Sequence, residues 1–289
     1  MNIGIAGLGR MGAAIAQRLV ATGHQVVGWN RSKRDIPGLS MAKSLAALVE
    51  GSEVIITSLF DGRAADEVYQ EETGLCAARD LNGKLFVETS TVSPQTSLKT
   101  AALLMSRNGR FADAPLLGTI GPCSRGELIA MVGSNEVDFR EVQRVLATLT
   151  RAVHHMGPIG SGAAAKLAVN LVMGSYWAAM GDSLALAARY SLNLRQLIDI
   201  IASGPAALAQ LPAKRHVLDG EQRPVEFSLA GYAKDLKTML EAAGPEVRLP
   251  ILEGAIQKFG DALATGFGEQ DVAAVALLGI SRDTRPSST

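Results

Sequence analysis

Four short apolar runs recur through the first part of the chain: Ile3-Gly4-Ile5-Ala6, Gln25-Val26-Val27-Gly28-Trp29, Glu53-Val54-Ile55-Ile56-Thr57 and Lys84-Leu85-Phe86-Val87-Glu88. Their length and β-branched content predict buried strands. Between them, Ala13–Thr22 and Ser44–Val49 carry helical spacing. Strand–helix–strand alternation predicts a parallel sheet with helices on both faces. Further strands are expected at Phe111-Ala112-Asp113 and Leu128–Val132, then a helix from about Val137 to Leu149 and a last short strand near Val153.

The pattern changes after Gly157-Pro158-Ile159-Gly160-Ser161-Gly162. From Ala163 to Tyr190 there is no proline, and Ala, Leu and Met dominate. That predicts one long helix, apolar on most sides and therefore buried between domains or subunits. More helices are expected at Leu194–Ala202, Leu229–Ala242, Leu249–Ala264 and Val272–Leu278, with a polar, fraying tail over Ser281–Thr289. The expected fold is α/β: a Rossmann-type dinucleotide-binding domain over 1–160, then an all-α domain over 161–289 holding the substrate site and the oligomer contacts.

Composition narrows the class. The 289 residues are 47% hydrophobic and 19% charged, so a large core can be buried and wholesale disorder is excluded. Lys+Arg and Asp+Glu both number 28, which gives no basic field for nucleic acid. Cys76 and Cys123 lie far apart in no metal-ligand spacing, so neither a metal site nor a disulfide framework is expected, and a reducing compartment is the simpler reading. Met1–Ala6 has no basic segment ahead of its apolar stretch, and the run Leu167–Gly181 is too short to span a bilayer. A soluble cytoplasmic protein with no membrane partner is expected.

Gly7-Leu8-Gly9-Arg10-Met11-Gly12 is a GxGxxG, a weak signal alone in a chain of 30 glycines. Its place, after a strand and opening a helix inside a βαβ unit, strengthens it. Gly7 then permits the tight turn, Gly9 the approach of a pyrophosphate, and Gly12 close helix–strand packing, with the helix N-terminus facing the phosphates. NAD enzymes tend to carry an acidic residue at the end of the second strand. Here the segment reads Trp29-Asn30-Arg31-Ser32-Lys33-Arg34, with no carboxylate before Asp35. Asn30, Arg31 and Ser32 suit a 2′-phosphate and favour NADP; the plainer alternative is a solvated basic turn.

The chain resembles the β-hydroxyacid dehydrogenases, a family that includes 3-hydroxyisobutyrate dehydrogenases and glyoxylate/succinic semialdehyde reductases. The resemblance covers nearly the whole chain. It rests on the glycine loop, Glu88-Thr89-Ser90-Thr91-Val92-Ser93-Pro94, Asp113-Ala114-Pro115 with Gly118, Gly160-x-Gly162-x-x-x-Lys166-x-x-x-Asn170, Tyr232-Ala233-Lys234-Asp235-Leu236 and Gly268-x-x-Asp271. It implies that Lys166 is the catalytic acid/base and that Asn170 holds substrate. Thr91 and Lys234 would line the nicotinamide end, Leu59-Phe60 would pack near the coenzyme, and Asp235 belongs to the substrate site. Helical geometry agrees for the central pair, since Lys166 and Asn170 stand four apart on one face. A snorkelling lysine at an exposed helix end is the competing reading.

One position departs from the family. Where its substrate loop commonly has serine, this chain has Leu117, and Thr119 replaces the final glycine of that loop. Backbone N–H groups of Gly118 and Thr119, with the Thr119 hydroxyl, remain to cradle a carboxylate. Trp177, seven residues beyond Asn170, is a candidate pocket wall, whereas Met173 and Met180 read as core. Cys123 could line the substrate loop, His154-His155 reads as a surface pair, and Asp182 as a polar group within the helical core. The expected activity is hydride transfer between NADPH and a small 3-hydroxy acid or semialdehyde, in a homodimer or tetramer. Alternatives are an imine reductase, which Lys166 argues against, and a non-catalytic NADP-binding module. A decarboxylating phosphogluconate dehydrogenase would need a much larger helical domain.

Overall fold

A computed structural model describes residues 1–32, 34, 36–70, 72–221 and 223–280. Lys33, Asp35 and the tail 281–289 lie outside the described residues. The chain divides into two compact units, Met1–Ala168 and Val169–Thr289.

The first unit is built on one sheet. Its parallel strands are β1 (Asn2–Ala6), β2 (Gln25–Trp29), β3 (Ser40–Met41), β4 (Val54–Thr57), β5 (Leu85–Glu88) and β6 (Arg110–Asp113). They lie in the order β3-β2-β1-β4-β5-β6, the doubly wound arrangement of a Rossmann sheet. Beyond β6 the sheet is not purely parallel as expected. β7 (Leu116–Leu117) and β6 both pair antiparallel with β8 (Leu128–Gly133), and β9 (Thr150–Gly157) then runs parallel to β8. The two-residue strands β3 and β7 are too short to leave a period in the sequence, and β9 is longer than the short strand expected near Val153.

Helices cover both faces. They are α1 (Arg10–Ala21), α2 (Leu45–Glu50), α3 (Gly62–Tyr69), α4 (Pro94–Met105), α5 (Ile120–Arg125) and α6 (Glu136–Leu146). Strand alternation feeds two cores. Val54, Ile56, Leu85 and Val87 face one, with Ile15 and Leu19 of α1; Ile55 and Phe86 face the other, with Tyr69 of α3 and Leu104 of α4. Hydrophobic spacing does not announce α3, α4 or α5, and the first two are marked by caps instead. The Asp61 side chain accepts from Ala64 N, and Ser93 accepts from Thr96 N with Pro94 opening the helix.

The long helix α7 (Ser161–Arg189) begins in the first unit and continues into the second. The second unit adds α8 (Leu194–Ser203), α9 (Leu211–Leu218), α10 (Leu229–Ala243) and α11 (Pro250–Ala264). The expected α-helix near Val272–Leu278 is instead a 3-10 helix over Val272–Leu277. The buried Lys214 ammonium binds Asp271 Oδ2 at 2.7 Å and Glu226 Oε2 at 3.1 Å, while Asp271 Oδ1 caps Ala273 N, so this turn is held by its start. Among the described residues, no helix is long and apolar enough to cross a membrane.

Candidate active site

The strand order reverses about β1, whose neighbours are β2 and β4, and ligands of open α/β sheets bind at the carboxyl ends of strands at such a point. The glycine loop sits there. Gly7 has φ +93°, and a Cβ on it would lie 2.3 Å from the Ser58 carbonyl oxygen. A Cβ on Gly12 would fall 1.9 Å from the Gly7 oxygen. Both glycines are therefore required by the fold itself. Gly9 differs: it has an ordinary φ of −62°, and a Cβ there would meet no heavy atom within 4 Å. Open space over Gly9 beside the uncapped N-terminus of α1, where Arg10, Met11 and Gly12 begin the first turn, fits a coenzyme pyrophosphate approaching the backbone.

The loop after β2 is tied to this turn. Leu8 N–H donates to Asn30 Oδ1 at 2.9 Å, and Asn30 Nδ2 donates to the Ser32 carbonyl at 2.9 Å and to Ser32 Oγ at 3.0 Å. The Arg34 guanidinium donates to the Leu8 carbonyl. Asn30 thus shapes the loop from which Arg31 and Ser32 project into solvent. Across the crevice, Leu59 N–H donates to Ser90 Oγ at 2.6 Å and Ser90 N–H to Glu88 Oε1 at 2.8 Å, which links the loops carrying Leu59-Phe60 and Thr91. Leu59 and Thr91 are half-buried; the Phe60 ring is largely exposed.

Asp113 ends β6 fully buried, and its carboxylate accepts Gly160 N–H at 2.7 Å and Ala163 N–H at 2.6 Å. It therefore caps the first turn of α7 from a distant strand. Burial raises its carboxyl above the ordinary Asp range while these N–H groups oppose the rise. Glycine is needed here because a Cβ on Gly162 would lie 2.4 Å from the Met131 oxygen, and one on Gly133 2.5 Å from Asp113 Oδ1. Lys166 follows one turn later with its side chain buried, not at an exposed helix end. The Asp-Ala-Pro motif is visible in sequence; its capping role is not, although the glycines at 160 and 162 signal a close approach.

In the same unit Leu117 is half-buried on β7, opposite Ile129. Gly118 has φ +130°, and Thr119 precedes α5 without its side chain making a capping hydrogen bond. Cys123, expected near this loop, is fully buried in the sheet core, where burial pushes its thiol up to about 11.

In the second unit, Asn170 Nδ2 donates to Asp235 Oδ2 at 3.2 Å, and Tyr232 Oη donates to the Asn170 carbonyl at 2.5 Å. Asn170 Oδ1 is buried with no partner among the described residues. Lys234 Nζ pairs with Asp235 Oδ1 at 2.6 Å. Tyr232 shapes the site in a way its motif alone does not announce; it also packs against Gly174, where a Cβ would lie 2.7 Å from its ring. Trp177 is wholly buried, and its indole Nε1 likewise finds no acceptor among the described residues. Asp182 is not inside the helical core: its carboxylate is exposed and pairs with Lys258. His154 and His155 lie at the surface, with His155 stacked on Phe139. No group of three or more His, Cys, Asp or Glu among the described residues could hold a metal.

A Rossmann sheet with a phosphate-ready glycine turn, followed by a long helix that buries a lysine, defines a pyridine-nucleotide oxidoreductase. A sequence profile for the NAD binding domain of 6-phosphogluconate dehydrogenase matches residues 2–157, and one for the NAD-binding domain of NADP-dependent 3-hydroxyisobutyrate dehydrogenase matches 160–278. Glyoxylate/succinic semialdehyde reductase 1 of Arabidopsis thaliana is 32% identical over 95% of this chain and 97% of its own. The cytokine-like nuclear factor N-PAC of Drosophila melanogaster is 29% identical over 95% of this chain, which spans 46% of that longer protein. The solved 3-hydroxyisobutyrate dehydrogenase of Mycobacterium tuberculosis with L-serine superposes with a TM-score of 0.81 at 26% identity, covering 97% of this chain and 99% of that one. The chain belongs to the β-hydroxyacid dehydrogenase family, whose enzymes are NAD(P)-dependent oxidoreductases.

Proposed function

We propose that this protein is an NADPH-dependent reductase of small semialdehyde acids, reversible as a 3-hydroxyacid dehydrogenase, with residues 1–160 binding coenzyme and 161–289 carrying substrate and oligomer contacts. The observation that carries this reading is the buried Lys166 one helical turn before Asn170, whose side-chain oxygen is buried and unpartnered among the described residues. Gly7, Leu8, Gly9, Arg10, Met11 and Gly12 would hold the pyrophosphate, Asn30, Arg31 and Ser32 the 2′-phosphate, and Leu59, Phe60, Thr91 and Lys234 the rest of the coenzyme. The coenzyme, when bound, supplies or accepts hydride at nicotinamide C4.

During reduction, Lys166 gives a proton from Nζ to the carbonyl oxygen as hydride reaches the carbonyl carbon; in the reverse direction it takes the hydroxyl proton. Asn170, fixed by Asp235 and Tyr232, offers Oδ1 to a substrate hydroxyl. Leu117, Gly118, Thr119, Trp177 and Asp235 complete the substrate set. Solvent-exposed Val172 and Leu186 on α7 support burial of this helix in a homodimer or tetramer, and zero net charge supports an enzyme with no nucleic-acid partner; a cytoplasmic place with no membrane partner is part of the same reading.

The test is an NADPH-oxidation screen across glyoxylate and succinic, tartronate and methylmalonate semialdehydes, with simple aldehydes and cyclic imines alongside. Lys166→Ala should retain NADPH binding and lose about 100- to 10,000-fold in kcat. A variant keeping most of its kcat would remove Lys166 from the chemistry and leave a binding module.

A further inference from the structure

An ion pair lies across the coenzyme crevice of the first unit. Arg31 follows the carboxyl end of β2, and Glu67 lies on α3 after the carboxyl end of β4; β2 and β4 flank β1 on opposite sides. Arg31 Nη1 meets Glu67 Oε2 at 3.1 Å, so the pair bridges the two walls above β1, where a Rossmann sheet holds the adenosine half of its coenzyme. The other carboxylate oxygen, Glu67 Oε1, lies 3.5 Å from Arg63 Nε. Arg31 and Arg63 are 83% and 86% exposed and Glu67 46%, so water competes for every partner and the pair yields readily to a stronger anion.

We propose that Glu67 is a coenzyme-selectivity residue that competes with the 2′-phosphate of NADPH for Arg31. The inference rests on the NADPH reading above. Two effects act in the same direction. A phosphomonoester carries close to two negative charges at neutral pH, so an adjacent carboxylate repels it and occupies the guanidinium it needs. An unphosphorylated ribose has hydroxyls that a carboxylate accepts, the role usually given to an acidic residue at the end of the second strand. That position here is Asn30, which is engaged with Leu8 and Ser32. Glu67 brings a carboxylate to the same crevice from the opposite wall. It therefore lowers discrimination against NADH in a chain whose β2 loop favours NADPH. A solvated ion pair without this role would leave the coenzyme ratio alone.

Reduced-nicotinamide fluorescence titrations measure Kd for NADPH and NADH without turnover. They are compared for the wild type, Glu67→Gln, Arg31→Ala and the double variant at low ionic strength, where exposed charges are least screened. Glu67→Gln should raise the NADPH-to-NADH affinity ratio about three- to thirtyfold, because it frees the Arg31 guanidinium for the phosphate and removes a like charge beside it. In the Arg31→Ala background the same substitution should change the ratio less, because the contested partner is gone and only the like-charge repulsion is left. An unchanged or lower ratio in Glu67→Gln, with a wild type that prefers NADPH, overturns the inference alone. An equal rise in both backgrounds also overturns it, by showing a diffuse charge effect. A wild type that binds NADH more tightly overturns the NADPH reading and the inference with it.

Discussion

Asp113→Ala is the sharpest test of how the fold holds its lysine. In the native chain one buried carboxylate accepts two backbone N–H groups, at 2.7 and 2.6 Å, from the turn that starts α7. Hydrogen bonds to a charged group contribute about 1.5–3 kcal/mol each, so the gross loss is about 3–6 kcal/mol. Removing a buried charge offsets part of it, since the same burial that raises this carboxyl disfavours its ionised form. The N–H groups of Gly160 and Ala163 stay behind in a buried place, because the glycine-dependent packing of Gly162 on Met131 leaves them little room to turn outward. A net cost of about 2–4 kcal/mol follows, or roughly 3–7 °C in Tm for a chain of this size. Asp113→Asn keeps one acceptor and should cost less. Because Lys166 sits one turn past Ala163, both variants should lose roughly ten- to a hundredfold in kcat through misplacement, with NADPH Kd nearly unchanged. Thermal melts, coenzyme titration and single-substrate kinetics check this. An Asp113→Ala protein with wild-type Tm and kcat would show that α7 does not depend on the clamp.

Three further outcomes follow from the site. Arg31→Ala should weaken NADPH by about 1.5–3 kcal/mol and leave NADH nearly untouched, since only NADPH has the 2′-phosphate; equal losses in paired Kd titrations would make Arg31 a general structural residue. Burial raises Glu88 above its ordinary 4.5, so the folded chain binds its proton more tightly than the unfolded one. The stability this provides is present below the unfolded value and is lost as pH rises through the folded one. Glu88 Oε2 also has no partner among the described residues. Glu88→Gln should therefore gain stability over wild type as pH rises above the ordinary glutamate range, and melts showing parallel pH profiles would contradict it. Leu117→Ser should shift kcat/KM toward a semialdehyde acid over its uncharged analogue, because it adds a donor and removes apolar surface worth about 25 cal/mol per Å². A ratio unmoved by that change yet collapsed by Thr119→Ala would give the carboxylate contact to Thr119.

What is legible in the sequence is what has a period or a fixed spacing. The strands β1, β4 and β5 stand out because each is largely buried on both faces and so is mostly apolar, and β2, buried at Val26 and Gly28 and half-buried at Val27 and Trp29, reads the same way. The glycine loop is visible because sterics demand Gly7 and Gly12 at those positions. The helices α3 and α9 are not, since each has only eight residues with few apolar ones to set a period; the Asp61 cap marks α3 and Pro212 opens the first turn of α9. The site divides the same way. Lys166 and Asn170 share a helix, so spacing alone associates them. The carboxylates that fix their surroundings are remote in sequence: Asp113 lies 47 residues before Gly160, and Asp235 lies 65 after Asn170. Such partnerships exist only once the chain has folded. Asp182 shows the converse, because an acidic residue amid an apolar helix sequence faces solvent rather than the core.

The helix α7 brings the demands of folding and chemistry into direct conflict. Its sequence is rich in Ala, Leu and Met, yet it buries Lys166 and Asn170. Buried polar groups persist only when partners satisfy them. The Asn170 carbonyl is taken by Tyr232 and its amide nitrogen by Asp235, and Gly174 lets α10 approach closely enough for both. On the Asn170 side chain itself, Oδ1 is the atom left without a partner among the described residues. An orphan acceptor in an otherwise satisfied set is costly in the resting protein and is relieved by a ligand that donates to it. A substrate hydroxyl is such a donor and an aldehyde oxygen is not, so this atom favours the hydroxyacid over the aldehyde in binding. The arrangement thus bears on direction. If Asn170→Leu weakens the hydroxyacid and the aldehyde acid equally, Oδ1 does not distinguish them; if it weakens the hydroxyacid more, the preference resides in that single unpaired oxygen.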